Sequence, residues 1–314
     1  MLGAIDLGLI FGLMALGVYL TFRVLDFADL TVDGSFTTGA AVAAVLITGG
    51  TDPVLATACG FVAGFVAGTV TGLLNTVGQI HPLLAGILTQ IALYSINLRI
   101  MGKANLPLLR AETVFTPLRS AGLLGTWSSV AILAVGVLMA VLALNWYLST
   151  DHGLAMRATG DNAGMSRAQG VNTGAMKVLG LALSNALVGL AGALVAQYQG
   201  FADISMGIGL IVAGLASVII GTALVGSPRV WVMTTAVVFG SILYRVIIQL
   251  ALDIPGFQPN DMKLISAVIV LAALVVPRWS LFAHIRARRR ERTLVAEPDI
   301  TLDAEERDAE RVGA

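Results

Sequence analysis

The chain has 314 residues, of which 57% are hydrophobic and 12% are charged, and its mean hydropathy is +0.87. This composition excludes an ordinary soluble domain and indicates an integral membrane protein. The formal net charge is zero and carries no information about a partner. We expect no nucleic-acid partner. The single cysteine, Cys59, lies in an apolar segment; it excludes an intrachain disulfide and a thiolate metal site, and we expect it to pack.

Apolar segments long enough to cross a bilayer follow one another along the chain. Because irregular backbone cannot face lipid, each is predicted to be a transmembrane helix, about eight to ten in all. The first lacks signal-peptide features and is expected to be retained, while the second and ninth are short enough to be broken or re-entrant. The fold class is therefore an all-α, polytopic transmembrane bundle. The predicted segments are 5–22, 35–48, 54–77, 83–101, 127–148, 178–198, 208–225, 231–252 and 264–276.

Three carboxylates precede the second segment, at Asp26, Asp29 and Asp33. Asp29 and Asp33 would share a face if this stretch is helical, whereas Asp33, Gly34 and Ser35 would serve as a turn and N-cap. As a cap or as a gate, these groups are expected to avoid lipid. Metal binding is weakly supported, because no histidine or further acid stands at a recognisable spacing.

Glycine recurs at every fourth position of the third segment, at Gly60, Gly64, Gly68 and Gly72. On a helix these residues form one smooth groove. Such a groove predicts close packing against a neighbouring helix rather than chemistry.

Polar side chains lie on one face of each of three other segments. They indicate either a shared hydrophilic translocation path, to which Asp29, Asp33 and Ser35 would also belong, or hydrogen bonds between helices. The positions are Gln90, Tyr94 and Asn97 on the fourth segment, Asn185 and Gln197 on the sixth, and Ser241, Arg245 and Gln249 on the eighth.

Arg245 is the sharpest of these residues, because a guanidinium inside a membrane helix needs something to offset its burial. It could hold a cargo carboxylate bidentately. The alternatives are pairing with an acid on another helix or extension toward Asp253.

The distribution of Lys and Arg predicts the orientation, since short loops rich in these residues stay in the cytoplasm. The bias favours an outside amino terminus and a cytoplasmic carboxyl terminus. Residues 1–278 would form the membrane domain, and 279–314 a disordered cytoplasmic tail that is first basic and then acidic.

A polar segment at 149–177 interrupts the apolar segments. Thr150 or Asp151 would cap a helix over 154–159 that Gly160 ends, and Asp161 would cap a second helix that stops at Gly170. Asn172 or Thr173 would cap the next transmembrane helix. A simple connection is the alternative, but the segment is longer than helix connections require.

The first of these helices carries small apolar side chains around Arg157, which suits insertion into a groove on a partner. The expected docking residues are Leu154, Ala155, Met156, Arg157, Ala158, Gly160, Asp161 and Asn162.

The sequence at 153–162, GLAMRATGDN, followed by QGVNT at 169–173, resembles the coupling segment of ABC importer permeases of the branched-chain amino acid and ribose type. The stretches FADLTVDGSF (27–36), PLLAGILT (82–89) and LYSINLRIMG (93–102) are similar to a narrower group assigned to tryptophan or tyrosine import. The resemblance covers nearly all of residues 1–278. It implies a homodimer in a bacterial plasma membrane, two ATP-binding cassette subunits that carry ATP and magnesium, and an extracytoplasmic solute-binding protein or lipoprotein.

The chain itself lacks a Gly-x-x-x-x-Gly-Lys-Ser/Thr phosphate loop, a His-Glu-x-x-His motif and a Gly-x-Ser-x-Gly motif. We therefore expect no catalytic residues, no cofactor and no metal in this chain, and energy that comes from a partner or from a gradient. The favoured function is the permease of an importer for a small solute, an amino acid by resemblance and an aromatic one by that narrower group. A gradient-driven secondary transporter or channel is the alternative.

Overall fold

The computed structural model describes residues 2–225, 229–253 and 262–275. A first unit comprises residues 1–270, and a second comprises residues 271–314, of which only 271–275 are described, as helix. The predicted domain boundary at residue 278 and the tail after it lie outside the described residues. The helices are α1 (Leu2–Tyr19), continued by a π-helix (Leu20–Val24), α2 (Thr31–Thr48), α3 (Pro53–Thr76), α4 (Pro82–Met101), α5 (Thr116–Ser120), α6 (Trp127–Ser149), α7 (Asp151–Asp161), α8 (Ala163–Ala168), α9 (Thr173–Gln199), α10 (Leu210–Val225), α11 (Val230–Leu252) and α12 (Met262–Val275).

Every one of the predicted transmembrane segments coincides with a helix. Seven described helices are long and apolar enough to cross a membrane. The helices at the seventh and ninth predicted segments, α10 and α12, are shorter, with 16 and 14 residues. The all-α class is confirmed. It is supplemented by two three-residue strands, β1 (Asn105–Pro107) and β2 (Phe201–Asp203), which pair antiparallel with Leu106 opposite Ala202.

The start of α2 differs from the prediction. The helix begins at Thr31 rather than Ser35, so the expected turn and N-cap at Asp33, Gly34 and Ser35 is wrong, and these residues form its first turns. The N-cap position is Leu30, and the carboxylate of the preceding residue, Asp29, accepts a hydrogen bond from the Thr31 N–H at 2.9 Å. The prediction failed because the sequence Asp-Gly-Ser is also typical of a turn.

Helices α1 and α2 form the centre of the bundle, whereas α4 and α6 form its periphery. The most apolar stretches of the spans containing α1 and α2 are 83% and 78% buried, against 28% for α4 and 22% for α6. Large apolar side chains such as Leu84 on α4 and Trp146 on α6 are exposed accordingly. In a bilayer, such surfaces face lipid or another protein chain.

The glycine groove of α3 packs against α9, as the spacing predicted. A Cβ added at Gly64 would overlap the Asn185 carbonyl oxygen, and one at Gly68 would overlap the Leu181 carbonyl oxygen. The two backbones are therefore in direct contact. Close backbone approach of this kind favours dispersion attraction between the two helices.

Candidate functional site

A cavity of about 390 Å³ opens between α2, α4 and the segment that leads from β2 into α10. Its volume lies within the range of roughly 300–1,000 Å³ that small-molecule sites occupy. It brings together four of the predicted path residues, Asp33, Gln90, Tyr94 and Asn97. The remaining lining residues are Gly34, Thr37, Ile91, Ser95, Ile204 and Ile208.

The helical period of α4 places its polar side chains in this cavity. Gln90, Tyr94 and Asn97 are four and three residues apart, so they project from one face. Gly34 brings α2 close to that face, because a Cβ there would lie 2.9 Å from Leu93 Cδ1 and 3.3 Å from the Gln90 Cα. The predicted polar face of α4 thus lines a cavity, and its residue Asn97 also contacts α2.

Asp33 links this cavity to α10. Its carboxylate oxygens accept hydrogen bonds from the N–H groups of Gly209, at 2.7 Å, and Ile211, at 2.8 Å. Gly209 directly precedes α10 and Ile211 lies in its first turn, where backbone N–H groups lack helical partners and the helix dipole favours a negative charge. Asp33 is therefore an N-terminal cap supplied by another helix, and it also lines the cavity.

The amide of Asn97 is only partly satisfied. Its side chain is fully buried, and Nδ2 donates to the Gly34 carbonyl at 3.4 Å. Oδ1 is buried and has no hydrogen-bond partner within the described residues. A buried acceptor without a donor costs about 1–3 kcal/mol, which makes it a site where a ligand donor would be favourable.

A second polar cluster lies beside the cavity, where α2, α3, α4 and α9 meet. Asn185 Nδ2 donates to Asp29 Oδ2 at 2.7 Å. Thr71 Oγ1 lies 2.8 Å from Thr31 Oγ1 and donates to Thr89 Oγ1 at 3.0 Å. This chain of hydrogen bonds joins the four helices in the interior and lines no described cavity.

The other predicted path residues do not join the cavity. Gln197 donates to Thr57 Oγ1 at 2.7 Å and accepts from the Val114 N–H at 3.0 Å, so it fastens α9 to α3 and to the loop before α5. Ser35 is buried, and its hydroxyl has no partner among the described residues. The structure therefore divides the predicted polar route into one cavity and several helix contacts.

Arg245 packs against an aromatic ring. Its guanidinium carbon lies 3.8 Å from the centre of the Phe11 ring, and Phe11 in turn stacks on Phe36 at 5.7 Å. In the described part of the chain no carboxylate pairs with Arg245. Cation–π attraction is strongest where both groups are removed from water, and it offsets part of the cost of burying the charge.

The polar segment at 149–177 folds into α7 and α8. Thr150 caps α7 by accepting from the Gly153 N–H, Asn162 caps α8 by accepting from the Met165 N–H, and Asn172 caps α9. The predicted cap at Asp161 is wrong. Gly160 does not end the first helix but lies inside it, because α7 runs on to Asp161.

One face of α7 is buried against the rest of the chain, and the other is exposed. Met156 is fully buried, so its predicted role as an exposed docking residue is wrong. A Cβ added at Gly160 would overlap the Val24 carbonyl, which shows how closely α7 approaches the end of the π-helix. Leu154, 49% exposed, and Met165 on α8, 61% exposed, are the large apolar side chains that α7 and α8 present outward.

The sequence reasoning missed Asp6, a fully buried carboxylate in α1. Its Oδ2 accepts from Ser129 Oγ at 2.8 Å and from the Tyr198 hydroxyl at 3.2 Å, which ties α1 to α6 and α9. A lone acid inside an apolar segment is a signal of a specific partner, and this signal could have identified Asp6.

Known proteins share this architecture. A metal-chelate type ABC transporter in an inward-facing conformation superposes with a TM-score of 0.50 over 89% of this chain and 84% of that chain. The two are 17% identical, so this likeness shows the fold alone.

Sequence similarity is more specific. The tyrosine transport system permease protein of Clostridioides difficile (strain R20291) is 40% identical over 85% of this chain and 87% of that protein. The autoinducer 2 import system permease protein LsrC of Escherichia coli O9:H4 (strain HS) is 29% identical over 58% of this chain and 52% of that protein. The family model described as branched-chain amino acid transport system / permease component matches residues 1–274. The chain belongs to this family and is the permease component of an ABC transporter.

Proposed function

We propose that this chain forms the membrane channel of an ABC importer that carries an amino acid, with tyrosine as the first candidate, into the cytoplasm of a bacterium. The family match over residues 1–274 carries this proposal. The similarity to a tyrosine transport permease supports the cargo class, because that relative is 40% identical over most of both chains.

In this proposal, the α7 and α8 segment couples the permease to an ATP-binding cassette subunit. Leu154 and Met165 are exposed apolar side chains that lie outside the long apolar helices, and such residues suit insertion into a groove on a partner. The buried Met156 holds α7 against the bundle. A force applied to α7 therefore reaches the π-helix and α9, which contact it directly.

The cavity on α4 is the proposed translocation path. A carboxylate and two amides line it, and exposure of these polar groups to the hydrocarbon of the bilayer would cost free energy. The exposed side of α4 is therefore expected to face water and a second copy of this chain. Ile91 and Tyr94, both exposed, would lie at that contact.

The proposed assembly contains two permeases, two ATP-binding subunits below them and a solute-binding protein above them. The ATP-binding subunits contact α7 and α8, so this segment faces the cytoplasm, as does the carboxyl terminus. Binding of ATP closes the two ATP-binding subunits, which draws the two coupling segments together and tilts the attached helices, so that a solute delivered by the binding protein passes inward.

Co-purification from the native membrane tests the assembly. The tagged permease is expected to elute with about one ATP-binding subunit for each permease, and Leu154→Glu should lose that subunit because a charge enters the proposed apolar contact. The matched control is Leu109→Glu, which changes a leucine that is 75% exposed outside the α7 and α8 segment. Retention of the ATP-binding subunit by Leu154→Glu would remove α7 from the coupling interface.

A further inference from the structure

The cavity on α4 has a chemical bias that the transport proposal alone does not include. Asp33 supplies a carboxylate, Asn97 supplies a buried amide oxygen without a partner, and Gln90 supplies a second amide. None of the residues that line the described cavity is basic. The cavity is therefore rich in hydrogen-bond acceptors, and its charge is negative.

The three residues lie around Gly34. Asn97 donates to the Gly34 carbonyl, so its side chain lies beside the residue that follows Asp33. The Cα of Gln90 also approaches Gly34, from a position about two turns before Asn97 on the same helix. A group that enters between α2 and α4 therefore reaches a cavity that the carboxylate and both amides line.

A primary ammonium fits these acceptors better than a metal ion does. It offers three hydrogen-bond donors and one positive charge, which match a carboxylate and two amide oxygens. A divalent cation prefers six or more oxygen ligands, and no cluster of three or more metal-ligating His, Cys, Asp or Glu side chains occurs among the described residues.

The same geometry keeps binding weak enough for transit. Each Asp33 oxygen already accepts one backbone N–H from the start of α10, and the helix dipole offsets part of its charge. The carboxylate retains lone pairs for a passing donor but does not act as an isolated charge. A path site must release its cargo, so a partly neutralised acceptor suits it.

We propose that Asp33, Asn97 and Gln90 form an ammonium-selective site in the translocation path, which favours solutes with a free primary amine over deaminated analogues of the same shape. This inference rests on the proposed function and deepens it. It assigns the amino group, rather than the carboxylate, as the part of an amino acid that the permease itself recognises.

Protection of a single cysteine tests the site without requiring transport. Ser95 is exposed in the cavity, so Ser95→Cys in a Cys59→Ala background gives a thiol that a maleimide can label. The full-length chain is purified in mild detergent with whatever subunits co-elute. The probes are tyramine, L-tyrosine and 3-(4-hydroxyphenyl)propionate, which share one ring but differ in ammonium and carboxylate groups.

Tyramine and L-tyrosine are expected to slow labelling at concentrations about tenfold below those of the propionate, because only they carry the ammonium. A thiol introduced at Ser120, which is exposed and outside the cavity, should be labelled at the same rate with every probe. Equal protection by the three probes, stronger protection by the propionate, or no protection by any of them would overturn the proposal.

Variants at Asp33 and Gln90 test whether the cavity causes the difference in protection between the probes. Asp33→Asn should remove the preference for the ammonium probes, but it also weakens the cap of α10. Gln90→Lys provides the independent variant, since a partly exposed lysine would place its own ammonium beside Asp33. Gln90→Met, of similar length and without charge, removes one acceptor and should weaken the preference for the two ammonium probes, whereas Gln90→Lys should abolish it. An unchanged preference in Gln90→Lys would contradict the site.

The assay separates this proposal from the one on which it rests. Amine selectivity is measured on the permease without ATP, so it can fail while ATP-driven uptake succeeds. Loss of the ATP-binding partner would in turn leave the labelling result intact.

Discussion

The α3–α9 interface and the α4 cavity use the same helical spacing for opposite purposes. On α3, positions four residues apart are glycines, and the backbone of α9 fills the space that side chains would take. On α4, positions three and four residues apart carry Gln90, Tyr94 and Asn97, and the space beside them stays open. We infer that the α3–α9 interface is a rigid structural contact, here called the fixed joint, and that the α4 cavity is a functional surface.

The largest expected effect comes from filling the fixed joint. Gly64→Leu would drive a side chain into the backbone of α9 at Asn185, where only a shift of a whole helix could relieve the clash. Overpacking of this kind costs about 3 kcal/mol or more, so we expect little folded protein in the membrane. The measurement is the yield of monodisperse protein in detergent.

Gly136→Leu is the matched control, because a Cβ at Gly136 meets no atom within 4 Å. A wild-type yield of Gly136→Leu together with a strongly reduced yield of Gly64→Leu would confirm that the close packing at Gly64 is required for folding. Equal yields for both variants would show that α3 and α9 are not in backbone contact.

Helix α7 has one face packed against the chain and one exposed face, so the same comparison can be made within the α7 and α8 segment. Met156→Ala removes a fully buried side chain and should lower the free energy of unfolding by about 2–5 kcal/mol. Leu154→Ala alters an exposed side chain and should change that free energy by less than about 0.5 kcal/mol while it reduces stimulation of the partner's ATPase.

Thermal unfolding in detergent and ATPase rates of the purified complex measure the two effects. If Leu154→Ala destabilised the chain as much as Met156→Ala does, the division of α7 into a buried and a docking face would be incorrect.

A change inside the cavity should separate stability from transport. Asn97→Leu removes a buried amide oxygen without a partner and keeps a similar volume, so we expect a stability gain of about 1 kcal/mol. Uptake should fall because the solute loses an acceptor. A more stable and fully active variant would show that Asn97 is not part of the path.

The smallest expected effect concerns the short sheet formed by β1 and β2. Partial burial raises the pKa of Asp203, but hydrogen bonds from Ser205 and Asn105 outweigh it, so the pKa lies below its ordinary value of 3.8. Because the folded-state pKa is depressed, the stabilisation is present above about pH 4 and is lost as the pH falls through the folded-state pKa.

Thermal midpoints at pH 6 and pH 3 measure this contribution against Asp203→Asn. The carboxylate is partly exposed, so the difference between the two proteins should be small. A larger fall in the midpoint for Asp203→Asn than for the wild type would contradict the assignment.

Helical periodicity in the sequence predicted the membrane helices, the glycine groove and the polar face of α4. These features depend on residues close together along the chain, which share a face whatever the tertiary fold. The prediction for α3 succeeded for this reason, because four glycines in register leave room only for another helix.

Features that depend on residues far apart along the chain could not be predicted from helical periodicity. Asp33 caps a helix that begins 177 residues later at Leu210, and no local pattern connects the two positions. Met156 and Leu154 are both apolar neighbours on α7, so only the position of the π-helix and α9 decides which of them is buried. Gln197 and Asn97 are both amides that bond a second helix, yet of the two only Asn97 also lines the described cavity.

The most direct test of the account is uptake of radiolabelled tyrosine into proteoliposomes that contain the co-purified complex, with ATP supplied to the ATP-binding subunits and ionophores that abolish ion gradients. We predict uptake that requires ATP, persists with the ionophores and disappears in Leu154→Glu. Uptake that proceeds without ATP and collapses when the gradients are discharged would contradict an ATP-driven importer and would instead support a secondary transporter.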